Sequence, residues 1–158
     1  MDEIRSLVRY RKSLGEENTI IKNKCYAILA LHGLRCRNSD IFGNRSLSLI
    51  KTRISDLPES DTVIMLDLLE RYADIKKRIG KIEGILSASG RNIKEFRLLM
   101  SIAGVDVYSA MGIYSEIGTI GRFPNAYKFA SCCGLVPRVD QSGEKTHYGG
   151  ITKTVRQC

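Results

Sequence analysis

Residues 62–87 read TVIMLDLLERYADIKKRIGKIEGILS. Within them Met65, Leu68, Tyr72, Ile75, Ile79, Ile82 and Leu86 recur at spacings that alternate between three and four. An α-helix turns every ~3.6 residues, so this pattern draws one apolar stripe along one face. The unbroken alternation is also what a left-handed supercoil requires. At ~1.5 Å per residue the stretch is about 39 Å long. A helix of that length with one apolar stripe draws its stability from packing, so it needs a partner. Asp56 and Ser60 are candidate N-caps, and Pro58 suits a first turn. Ser87-Ala88-Ser89-Gly90 marks the end.

Upstream, Met1 to Leu31 reads as one helix. Leu7, Leu14, Ile21 and Ile28 repeat every seven residues. Ile4, Arg11, Asn18 and Cys25 fill the other core position of the heptad. Arg11 is expected to snorkel and Asn18 to set register, as a lone polar core residue does. Gly33 is a candidate C-cap. The two long helices pair antiparallel in one chain or across two chains, and the intramolecular hairpin is the simpler arrangement. Residues 34–57 read as a connector. Asn38-Ser39-Asp40 and Gly43-Asn44 form turns, and Leu47, Leu49 and Ile50 suggest a short helix.

From residue 91 the character changes. Glycines become frequent and the periodicity breaks into short pieces. Helices are expected over about 92–101, 107–117 and 125–132, followed by an irregular or strand-like tail. The chain therefore divides into a helical coiled-coil region, 1–90, and a C-terminal domain, 91–158. The fold class is mostly α: a long helical hairpin or coiled coil, then a small α-rich domain with a helix-hairpin-helix-like turn.

Composition narrows the function. The 158 residues carry 25 Lys+Arg against 17 Asp+Glu, a net charge of +8. The excess concentrates in residues 1–57, with 11 basic and 6 acidic side chains. Such an excess favours nucleic acid or an anionic surface as partner. No apolar run approaches the ~20 residues of a membrane span, and the first residues are not a signal peptide. The five cysteines, Cys25, Cys36, Cys132, Cys133 and Cys158, are an odd number and fit no disulfide framework. Free thiols and a cytoplasmic location are expected. No pair of cysteines has zinc-finger spacing, so no metal site is expected and no cofactor is assigned to this chain.

Two motifs bear on chemistry. The first is Ser101-Ile102-Ala103-Gly104-Val105-Asp106-Val107-Tyr108-Ser109-Ala110. It resembles the turn of helix-hairpin-helix modules, where a glycine lets the backbone approach a phosphate at the start of the next helix. Gly104 and Val105 are the candidate contacts. Ala103 stands where such modules carry proline, and Asp106 where they carry glycine. A carboxylate there repels phosphate unless it caps the next helix.

The second motif runs Arg122-Phe123-Pro124-Asn125-Ala126, Phe129-Ala130-Ser131-Cys132-Cys133-Gly134-Leu135-Val136-Pro137, Gln141-Ser142-Gly143 and Gly149-Gly150-Ile151-Thr152-Lys153. In this order and spacing it resembles the C-terminal domain of the Piv/MooV-type insertion-sequence transposases. The likeness is strongest over 98–153 and extends weakly over 1–97, where Arg9-Tyr10-Arg11 and Lys22-Asn23 take part.

That resemblance implies DNA binding and DNA strand exchange. Ser142 matches the family's serine nucleophile, which attacks a phosphodiester and forms a covalent phosphoserine link that a second strand resolves. Gly143, Lys145, Gly149, Gly150 and Lys153 then become candidate nucleic-acid contacts, the lysines as counter-charge and the glycines as points of close approach. His147 is a candidate base. The implied partners are DNA, a guide RNA encoded by the element, and either further copies of the chain or a separate RuvC-like domain. The family's N-terminal RuvC-like domain, whose acidic quartet binds Mg²⁺, has no counterpart in these residues, so the isolated chain is expected to be inactive. Residues 154–158 depart from the pattern, so the C-terminal domain reads as truncated at its end. The alternative is a non-enzymatic nucleic-acid-binding or oligomerisation module.

Overall fold

The computed structural model describes residues 2–34, 42–43, 52, 54–142 and 145–151, with 138–148 as backbone only. It is mostly helical. Helix α1 spans Asp2–Leu31 and α2 spans Glu59–Gly90. Three shorter helices follow: α3 (Lys94–Met100), α4 (Val107–Ile117) and α5 (Ala126–Cys132). The chain closes on an antiparallel hairpin of β1 (Pro137–Ser142) and β2 (Lys145–Ile151). Short 3-10 turns lie at Ile54–Asp56 and Ile120–Arg122. The chain forms two compact units, residues 6–89 and residues 90–158 together with 1–5.

In the first unit α1 and α2 run antiparallel. Arg11, early in α1, donates from Nε (2.9 Å) and a terminal nitrogen (2.7 Å) to Glu83 Oε1, late in α2. The Lys22 ammonium sits over the Tyr72 ring, 5.8 Å from its centroid. His32, just past α1, meets Asp61 at the start of α2, Nε2 to Oδ2, at 2.6 Å. Partners thus count up one helix and down the other. The seam between them is the expected one. Met65, Leu68, Tyr72, Ile75 and Leu86 are buried, and Ile79 and Ile82 pack half-buried against the core. From α1 come Leu14, Ile21, Cys25 and Leu29, with Ile28 beside them. Leu29 was not expected there; it faces inward because α1 is wider in its buried stripe than a strict heptad. Arg11 pairs with Glu83 rather than snorkelling to water.

The ends of α1 and α5 share one device. The Leu34 N–H donates to Leu29 C=O (2.9 Å) and the Gly33 N–H to Ala30 C=O (3.1 Å). Leu135 and Gly134 repeat this with Ala130 and Ser131. Both are Schellman closures, and both glycines have φ near +70°, where a side chain would be strained.

In the second unit Phe96, Ala110, Met111 and Ser115 are buried. Phe96 packs so closely on Gly90 that a Cβ there would lie 2.6 Å from the ring. Arg5 donates to the Ser115 carbonyl (2.8 Å) near the end of α4 and pairs with Glu116 Oε1 at 3.7 Å. A cation at a helix C-terminus satisfies an open carbonyl and complements the helix dipole.

The connector helix expected around Leu47, Leu49 and Ile50 lies outside the described residues. Among the described residues no helix is long and apolar enough to cross a membrane. Cys25 and Cys133 are free thiols. Cys132 is disulfide-bonded, which corrects the expectation of free thiols throughout.

Candidate functional site

The site residues expected from the sequence fall at two places in the C-terminal unit. One is the turn between α3 and α4. The Val105 N–H closes it on Ile102 C=O at 3.1 Å, and Gly104 takes φ +88°. This is the third position of a type II-like turn, with Ala103 in the position that favours proline. Gly104 is exposed, and a Cβ added there would touch nothing within 4 Å, so the backbone angle alone calls for glycine. Asp106 is the N-cap of α4: its side chain accepts from the Ser109 N–H at 2.7 Å. The carboxylate is therefore engaged in the helix end, the condition under which its presence in this turn makes sense.

The other place is the β-hairpin. Ser142 ends β1 and pairs with Lys145, the first residue of β2. The next pairs are Gln141 with Thr146 and Asp140 with His147. Directly opposed residues share a face and alternate residues return to it. Ser142, Lys145, Asp140 and His147 therefore occupy register positions of one face of the ribbon. The candidate base, five positions from the serine in sequence, is on the serine's own face because the chain reverses between them. Val139 pairs with Tyr148 but Pro137 with Ile151, so β2 carries one extra residue in this interval. Gly149 and Gly150 together oppose Arg138, a β-bulge, and both glycines are exposed. Gly143 and Lys153 lie outside the described residues.

The structure also shows a contact that motif reading did not single out. The Arg122 guanidinium carbon lies 4.7 Å from the centroid of the Phe123 ring, and Phe123 meets Phe129 edge-on at 5.3 Å. The signal available in the sequence was charge: residues 117–139 hold Arg122, Lys128 and Arg138 and no acidic side chain.

Comparison with known proteins covers this same region. Residues 96–157 match the family model described as Transposase IS116/IS110/IS902 family. This segment is similar to the transposase domains that the family model describes. Over 152 residues the chain is 24% identical to the transposase for insertion sequence element IS1111A of Coxiella burnetii (strain RSA 493 / Nine Mile phase I), covering 96% of the chain and 42% of that relative. It is also 24% identical over 154 residues to the transposase for insertion sequence element IS1328 of Yersinia enterocolitica, covering 94% and 44%. The chain thus spans less than half the length of the curated relatives it matches. No solved structure matches it.

Among the described residues no group of three or more His, Cys, Asp or Glu is placed to hold a metal ion.

Proposed function

We propose that the chain supplies the DNA-binding and strand-joining part of an insertion-sequence transposase, with Ser142 as nucleophile. The observation that carries this reading is the position of Ser142 within the transposase-matched segment, at the tip of a hairpin and paired in register with Lys145. The Ser142 Oγ attacks a DNA phosphorus, an O–P ester forms, and the displaced strand leaves as a hydroxyl-ended product. A second strand's hydroxyl then attacks the same phosphorus and releases the serine. Lys145, at the paired position, supplies positive charge as charge grows on the phosphate oxygens. His147, on the same face one alternation inward, is the residue to accept the serine proton. Gly104, Val105, Gly143, Gly149, Gly150 and Lys153 are the proposed backbone and charge contacts to nucleic acid.

A serine hydroxyl is almost wholly protonated at neutral pH and needs a base or strong charge stabilisation to attack phosphate. The proposed complement is a RuvC-like domain bearing the acidic Mg²⁺ site, with element-encoded guide RNA directing the target, and assembly into oligomers. The test mixes this chain with such a domain, element-end DNA, the element's RNA and Mg²⁺. Covalent protein–DNA adduct is expected in the mixture only, and is expected to vanish in Ser142→Ala. Adduct that survives Ser142→Ala would remove Ser142 from the role; adduct from the chain alone would remove the need for the second domain.

A further inference from the structure

We propose that Arg122, held over the Phe123–Phe129 pair, is a stacking platform for an unpaired nucleobase, so that this face of the C-terminal unit binds single-stranded nucleic acid. The proposal deepens the nucleic-acid reading above and rests on it. Phe129 meets Phe123 edge-on, and the Arg122 guanidinium lies over the Phe123 ring. Phe123 and Phe129 are half-buried, whereas Arg122 is exposed. The guanidinium is thus the outermost of the three groups, next to solvent.

The backbone fixes this arrangement. The 3-10 turn Ile120–Arg122 closes through the Phe123 N–H donating to Ile120 C=O at 3.1 Å. Asn125 then caps α5 by accepting from the Lys128 N–H at 2.9 Å. Arg122 has no carboxylate partner among the described residues, although six ion pairs elsewhere engage arginine or lysine. The sequence from 117 to 139 holds no acid either, and among the described residues none pairs with this guanidinium, so its charge is open to an anion.

A planar cation stacked on a ring presents a second flat face and a fork of N–H donors. The complement is a planar π-face joined to a negative charge, which describes a nucleotide in a single strand. A duplex hides its base faces within the stack and would use the charge alone. Tyr127, 60% exposed in the first turn of α5, adds a second aromatic surface in the same segment.

The test uses the intact chain with an oligonucleotide of about 12 residues carrying 2-aminopurine, single-stranded and as duplex. Arg122→Lys keeps the charge and removes the flat guanidinium. It is expected to lower single-strand affinity on the order of tenfold and to abolish the stacking-dependent fluorescence quench. The log–log salt slope and the duplex affinity are expected to stay as in the parent. Circular dichroism matching the parent would show that the fold is kept, as expected for an exposed side chain. If Arg122→Lys binds and quenches like the parent, the platform is overturned and the nucleic-acid reading stands. If single-strand and duplex affinities fall equally, Arg122 is a phosphate contact and stacking is overturned. If the parent binds neither oligonucleotide at any salt, both the platform and the reading beneath it fail.

Discussion

The environment of Cys25 shifts the chemistry of its thiol. The residue sits in the α1 heptad among apolar neighbours and is fully buried. Burial disfavours the thiolate, and its pKa is raised from 9.0 to about 11, with a backbone hydrogen bond opposing in part. The sign follows from linkage. Between pH 9 and 11 the folded chain keeps this proton and the unfolded chain loses it, so stability is fully present below pH 9 and falls as pH rises towards 11. The two-unit shift corresponds to about 2–3 kcal/mol at most. Denaturant midpoints measured across that window in the parent and in Cys25→Ala should show a steeper decline in the parent; equal slopes would count against the buried thiol. That Cys25 belongs to the seam was legible from its heptad position. That Arg11 bonds Glu83 was not, because the partner is 72 residues away and either residue alone reads as a solvated charge. The same holds for Arg122, whose ring partner is its neighbour but whose lack of an acid partner among the described residues is a property of the folded surface.

At the scale of the element, periodicity carried most of what could be known. The long helices run Asp2–Leu31 and Glu59–Gly90, close to the limits set by their apolar stripes and end glycines. The α2 seam predicts a sharp contrast between adjacent positions. Met65 is fully buried, while Ile64 is 48% exposed. Met65→Asp would place an unpaired charge in the seam and should cost several kcal/mol, whereas Ile64→Asp should shift stability by less than ~1 kcal/mol. Thermal melts followed by circular dichroism separate the two; similar melts would mean that the seam is not the core. The hairpin was harder to read. Alternation along Pro137–Ser142 is weak, and the bulge at Gly149–Gly150 breaks the period on β2, so only a strand-like tail was visible. Its register, which brings His147 to the serine's face, depends on where the chain turns, and a slip of one residue would reverse it.

For the whole molecule, charge is the property that sequence states outright and that structure only distributes. Of the 25 basic side chains, 11 fall in residues 1–57, and the pairs that neutralise charge include Arg11–Glu83, Lys12–Glu16, Arg71–Asp67 and Arg78–Asp74. The exposed pairs among these are weak and screened by salt, so they give way readily to phosphate. A net charge of +8 leaves more than enough cations to cover about five phosphates of a duplex. Each phosphate neutralised releases condensed counterions, which gives an expected slope near −4 to −5 in a plot of log affinity against log salt. The proposed backbone contacts at Gly104 and the hairpin glycines would read no base edges, so sequence preference should be slight. Titration of the chain against unrelated duplexes at several salt concentrations measures both quantities at once. A slope near zero would show that binding does not proceed through phosphate. No measurable affinity even at low salt would remove DNA as a direct partner of this chain.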